Sequence, residues 1–208
     1  MKKIDLKTWE RFDTFDYFRK LDHPRYIMTF ELDVTHFYHK VKEEKHSFYL
    51  SFIHFITTIM NEHDAFHYRM VGDEVVYFDT IHPSFTDLIE DTDRFRIVTV
   101  NYESDQQSFI KHAKEKSIKQ GDQFIDLDEE IRKDLVYITT FPWATYTQVT
   151  HAENHDPQDA IPRLVWGKFR DVDGKLMMPF SVEVHHGFVD GYHLGLWIQD
   201  IEKRLQKV

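Results

Sequence analysis

The sequence predicts a mixed α/β fold, an α+β two-layer sandwich in which helices pack on one face of a mixed, largely antiparallel sheet. Three observations carry this. Strand-like segments dominate the middle and end of the chain, and amphipathic helical segments interrupt them in a few places. The composition then supplies the core: 41% of residues are hydrophobic and 15% aromatic, with 18 Phe and 10 Tyr. At 208 residues that suits one packed domain spanning 1–208. No Pro/Gly/Ser linker or repeat divides it.

Tyr26 to Val34 is rich in β-branched and aromatic residues and reads as a strand, with Thr35 as cap of a following helix that carries Lys40, Lys42 and Glu43. Phe48 to Met60 places Phe52, Phe55, Ile56 and Ile59 at helical spacing and reads as a core helix. Phe66–Val71 and Glu74–Phe78 flank Gly72-Asp73 as a hairpin. Phe95–Tyr102 is a strand and Ser104–Lys119 an amphipathic helix. Leu135–Thr140, Thr145–Thr150 and Arg163–Phe169 read as three more strands. The turn Asp173-Gly174 leads into a strand from Leu176 to His186. The last helix, about Tyr192 to Gln206, carries Leu194, Ile198, Ile201 and Leu205 on one face.

Charge and composition narrow the function classes. With 36 acidic residues against 26 Lys and Arg, the net charge is -10, and no cluster of basic residues suggests nucleic-acid binding. No segment has the roughly 20 apolar residues of a membrane span, and Met1–Asp5 lacks the apolar core of a signal peptide. The expectation is a soluble, cytoplasmic protein. Cysteine is absent, which removes disulfides, thiolate metal sites and a cysteine nucleophile.

The most informative segment is His185-His186-Gly187-Phe188-Val189-Asp190-Gly191. It sets a histidine four residues before an Asp-Gly at the end of an apolar strand, a pattern suited to acyl transfer. Alternation puts Phe180, Val182, Val184 and His186 on the apolar face and Ser181, Glu183 and His185 on the polar one. His186 is therefore the expected general base, since a partly desolvated imidazole stays neutral. A metal set of His186, Asp190 and His193 lacks standard spacing, so no metal is expected. No Gly-x-Ser-x-Gly elbow is present. Attack by the substrate's own hydroxyl fits better than a protein nucleophile.

In order along the chain, several elements resemble the chloramphenicol acetyltransferase family. Trp9-Glu10-Arg11 and Phe15-Asp16-Tyr17-Phe18 resemble its N-terminal Trp-x-Arg and aromatic cluster. Ser47-Phe48-Tyr49 resembles its Lys-Phe-Tyr, Pro83-Ser84-Phe85-Thr86 its Pro-x-Phe-Thr, and Pro142-Trp143 its Pro-Trp. Gly167-Lys168-Phe169 and Met178-Pro179-Phe180-Ser181-Val182 lead to the double histidine in the same order. The His-His-x-x-x-Asp-Gly element is itself shared with dihydrolipoyl acyltransferase cores, condensation domains and plant acyltransferases.

The resemblance implies a homotrimer with sites at subunit interfaces and acetyl-CoA as co-substrate. The acceptor would be a hydroxyl of chloramphenicol or a similar small molecule, attacking the thioester directly with His186 as base. Asp190 would pair with Arg11 and brace the histidine loop. Tyr49, Lys168 and Phe169 would hold coenzyme A, and Tyr17, Phe18 and Phe95 the acceptor. Two departures stand out. Gln148 is read where the family places a serine that donates to the oxyanion, and Val165 where it places a threonine. Losing one such donor costs on the order of 10²–10³ in rate. Ser47 replaces a lysine. A different acceptor, or a trimeric binding protein of weakened activity, are the alternatives these departures leave open.

Overall fold

The computed structural model describes residues 1–207, apart from the side chain of Glu130. In chain order the elements are β1 (Lys2–Lys3), α1 (Phe12–Phe18), β2 (Arg25–Asp33), α2 (Thr35–Glu43), α3 (Phe48–Asn61), a 3-10 turn (Asp64–His67), β3 (Tyr68–Val71) and β4 (Glu74–Tyr77). There follow β5 (His82–Leu88), β6 (Phe95–Thr99), α4 (Gln106–Gln120), α5 (Leu127–Glu130), β7 (Leu135–Phe141), β8 (Arg163–Gly167), β9 (Arg170–Val172), β10 (Lys175–His185) and α6 (Gly191–Leu205).

The main sheet has the order β2-β10-β8-β7-β5-β6, with β9 also paired to β10. Its ends are antiparallel, but β7 runs parallel to both β5 and β8. The sheet is thus mixed. A small sheet, β1-β4-β3, contains the expected hairpin, turning at Gly72, whose φ of 59° suits glycine.

Strand alternation sorts the two faces. Phe180, Val182 and Val184 of β10, Leu164 and Trp166 of β8, and Val136 and Ile138 of β7 point into the core. There they meet Phe52, Ile53 and Ile56 of α3, with Leu194, Trp197 and Ile201 of α6. Registers place Thr86, Thr139, Val165, Ser181 and Thr29 opposite one another in a row across the other face. A neighbouring row holds Ser84, Tyr137, Arg163 and Glu183. This outer face is hydroxyl-rich and charged.

Three expectations are corrected. Residues 145–150 form no strand. β7, which leads into the segment, is already flanked by β5 and β8, so it offers no edge to pair with, and the segment instead crosses the outer face. There the Tyr146 hydroxyl donates to the Val165 carbonyl (2.8 Å) and lies 3.1 Å from Ser181 Oγ. Second, a strand stands at His82–Leu88 where none was read, because Pro83 and Asp87 weaken the strand signal. Third, Thr35 is not the cap of α2. Its hydroxyl donates to Asp33 Oδ1 and accepts from the Leu176 amide, tying the helix start to β2 and β10.

Candidate active site

The loop from His185 to Asp190 is built by α1. Arg11, Phe15 and Phe18 recur at helical spacing and face the loop together. Phe15 is buried and stacks on Phe188 at 5.2 Å between centroids. Phe18 lies flat on the His186 ring, 3.7 Å away at 5°. Arg11 donates from Nε to the Gly187 carbonyl (2.9 Å), from Nη1 to Asp190 Oδ2 (3.0 Å) and from Nη2 to the His186 carbonyl (3.3 Å). One guanidinium therefore fixes three points of the loop. Tyr17 falls off this face and is 65% exposed.

The two histidines differ from the alternation argument. β10 ends at His185, which is sealed in the interior at 2% exposure instead of lying on a solvated polar face. Its Nε2 donates to the Pro157 carbonyl (3.1 Å) and its Nδ1 accepts from the Gly187 amide (3.0 Å). Both nitrogens are committed, so this imidazole is a fixed neutral strut. Burial above all, with the charge of Arg25, lowers its pKa to about 4. Gly187 is required by space: an added Cβ would come within 2.9 Å of His185 Cε1.

A pH prediction follows from His185. Unfolded, it takes up a proton below its ordinary value of about 6.5; folded, it does not until about 4. Stability is therefore complete above that window and falls as pH drops through it, by up to ~3 kcal/mol. Urea unfolding at stepped pH should show the decline, and His185→Gln should flatten it.

His186 is placed otherwise. It is half-buried, just past the strand, with its backbone amide donating to the Pro24 carbonyl (2.8 Å). Its ring lies between Phe18 and Tyr26, and its Nδ1 is buried with no partner. No described residue hydrogen-bonds its Nε2, so of the two imidazoles this is the one whose nitrogens are uncommitted among the described residues.

Asp190 and Gly191 do not form a sharp turn. Asp190 is the N-cap of α6, accepting from the Tyr192 (3.0 Å) and His193 (3.4 Å) amides, and Gly191 is the first helical residue with open space around it. His193 Nδ1 sits 2.8 Å from Asp190 Oδ1. Burial raises the Asp190 pKa, but the hydrogen bond from Arg11 and the charge of His193 outweigh it and hold the carboxyl at about 2.

The pair with Arg11 is 17% and 30% exposed, so its contribution is below that of a fully buried pair. Arg11→Ala should lower stability at neutral pH by ~1–2 kcal/mol after allowance for solvent screening. The lowered Asp190 pKa means this difference holds above about pH 4 and shrinks toward pH 2. Equal urea midpoints for the two proteins at pH 7 would disprove it.

Tyr49, Phe95, Lys168 and Phe169 line a separate groove of about 690 Å³, together with Thr86, Thr139 and Trp143. The Tyr49 hydroxyl donates to the Thr86 carbonyl, leaving its ring to the groove. Lys168 is exposed, with no acidic partner among the described residues. Ser47 accepts from the Leu50 amide as N-cap of α3 and so has a structural task of its own. Val165 is buried in β8.

Gln148 joins neither group. It is exposed on the 145–150 coil and lines no cavity described here. Thr86, Thr139 and Thr140 line the groove, and the hydroxyls of the first two are 3.2 Å apart on the outer face.

The two groups of site residues lie at opposite ends of the sheet. Thr139 is in register with Val165, and Val165 with Ser181. His186 is five residues beyond Ser181, so at ~3.3 Å per residue along the strand and ~4.8 Å per strand across, it lies on the order of 15–20 Å from Thr139. Lys168 is farther still.

Comparison with known proteins agrees with this anatomy. Residues 1–202 match the family model described as chloramphenicol acetyltransferase. The chloramphenicol acetyltransferase of Escherichia coli is 28% identical over 200 residues, covering 96% of this chain and 91% of that protein. That of Proteus mirabilis is 26% identical over 200 residues, covering 96% and 92%. A solved chloramphenicol acetyltransferase superposes with a TM-score of 0.87 at 28% identity, covering 98% of this chain and 99% of that one. A probable dihydrolipoamide acetyltransferase from Listeria monocytogenes shares the fold, with a TM-score of 0.68 at 15% identity, covering 100% and 95%. The chain belongs to the chloramphenicol acetyltransferase family and is an acyl-CoA-dependent O-acyltransferase.

Proposed function

We propose that this protein transfers acetyl from acetyl-CoA to a hydroxyl of chloramphenicol or a similar small acceptor, in sites formed between copies of one acyltransferase domain. A single observation carries the reading: the free imidazole of His186 sits on an aromatic platform, 15–20 Å by strand geometry from the groove that suits the cofactor. The site is incomplete within one chain. A symmetric homotrimer that sets His186 of one copy against the groove of the next completes it.

The groove residues fit coenzyme A. Lys168 offers an unpaired cation to a phosphate, and the rings of Tyr49 and Phe169 offer apolar surface. His186 removes the proton of the acceptor hydroxyl as its oxygen attacks the thioester carbonyl, and returns a proton to the leaving thiolate. Arg11 and Asp190 hold the loop that carries the base. We assign oxyanion donation to Thr139 in preference to Gln148, because its hydroxyl lies on the groove wall. Phe18 on the His186 ring, Tyr17 edge-on to Phe18, and Phe95 on the groove would then line the acceptor from two copies. The reading places the enzyme in the cytoplasm with its acetyl-CoA supply, where acetylating the antibiotic gives resistance.

The test is thiol release from acetyl-CoA with and without chloramphenicol, alongside a panel of other hydroxyl and amine acceptors. Acceptor-dependent release with chloramphenicol is expected. Release with a different acceptor only would move the reading to that acceptor, as Val165 in place of threonine would favour.

A further inference from the structure

We propose that His151, held by Glu183, selects the acceptor by taking a hydrogen bond from a second hydroxyl or N–H group on that molecule. This rests on the acetyl-transfer reading above and specifies the substrate class. His151 lies on the coil that crosses the outer sheet face, and its Nδ1 is 2.5 Å from Glu183 Oε2. The other carboxylate oxygen of Glu183 accepts from Arg25 Nε (2.7 Å) and Arg163 Nη1 (3.1 Å). The ionised Glu183 carboxylate accepts from His151, which places a hydrogen on Nδ1. The far nitrogen, Nε2, is buried without a partner, and in the neutral ring it is the acceptor the proposal uses. A buried polar atom left open in an otherwise fully bonded cluster calls for a ligand or water to meet it.

Its position says which ligand. His151 borders a cavity of about 250 Å³ that shares Thr86 and Thr139 with the proposed coenzyme A groove. It also borders a second cavity, about 200 Å³, lined by Pro24, Arg25 and Tyr26 beside the end of the strand that leads to His186. It stands between the thioester end and the base end, where an acceptor would lie. The charge around it says what chemistry. Glu153, Asp159 and Glu183 face Arg25 and Arg163 across this cluster, three carboxylates to two guanidiniums. A donor group, neutral or cationic, is favoured there over an anion.

The probes are chloramphenicol, which carries a 1,3-diol and an amide N–H, its 1-deoxy analogue and its N-methyl amide. Calorimetric binding to the unaltered protein should show one of the two analogues about tenfold weaker than chloramphenicol, the loss of one hydrogen bond. In His151→Leu, chloramphenicol should fall to that analogue's affinity while the analogue and acetyl-CoA bind as before. His151→Gln, which keeps an acceptor oxygen, should recover part of the difference. Equal affinity of all three probes for the unaltered protein overturns the proposal whether or not the variants fold. So does an equal loss for every ligand in His151→Leu, or a fall in turnover rate with acceptor affinity unchanged. If the pattern holds but the unaltered protein releases no thiol with chloramphenicol, acetyl transfer to that acceptor fails while His151 stands as its binding residue.

Discussion

His186→Ala is expected to lower the acetyl-transfer rate at saturating substrates by ~10²–10⁴, the usual contribution of a positioned general base. The reason is local. Phe18 and Tyr26 hold the ring on both sides, and neither ring nitrogen has a partner among the described residues. Thermal stability should change little, since the half-buried ring makes no hydrogen bond that its removal would break. His185→Ala is the instructive contrast. It removes a strut bonded at both nitrogens and should chiefly cost stability. Thiol release read beside unfolding curves separates the two, and a His186→Ala enzyme of undiminished rate would remove His186 from the chemistry.

Arg69→Met is expected to destabilise the protein by ~3–5 kcal/mol, more than any surface charge removal. Arg69 is 1% exposed and makes no ion pair among the described residues. Its Nε donates to the Lys133 carbonyl (2.9 Å), Nη1 to Phe66 (2.7 Å) and Tyr68 (2.8 Å), and Nη2 to Leu135 (2.8 Å). Four carbonyls, from the 3-10 turn, β3, the segment before β7 and the first residue of β7, thus converge on one cation. Burial lowers its pKa, yet it remains charged at neutral pH. Methionine replaces the volume and none of the donors, and each stranded carbonyl costs ~1–3 kcal/mol before relaxation. An unchanged urea midpoint would show that the carbonyls find other partners.

What the sequence made legible follows its periodicity. The helices α3, α4 and α6, the strand leading to the double histidine and the hairpin at Gly72 all carry strong periods or turn residues, and the structure has them near the expected bounds. Segment 145–150 imitates a strand in composition, but whether a strand forms depends on a free ladder edge, which is a property of the sheet. β5 was obscured by Pro83 for the converse reason: its neighbours supply the ladder that its own sequence argues against. At the histidines, alternation assumed a strand one residue too long. His186 lies beyond the pleat, so its freedom comes from the turn and from α1, which no local pattern revealed. Arg11 and Asp190 were paired by resemblance; the carbonyls that Arg11 also binds were not legible at all. Gln148 was read by resemblance alone, and it lies exposed on the coil that replaces the expected strand.

On the proposed function, in which the base of one copy meets the groove of the next, the separation of base and groove has a genetic consequence. A chain disabled at His186 still offers an intact groove, and a chain disabled at the groove still offers an intact base. Co-expressed, two such dead alleles would complement one another. With random assembly, about one interface in four would join the two sound halves. Conversely, a single damaged allele would silence interfaces built on its sound siblings, so dosage in the cell would follow interfaces, not chains.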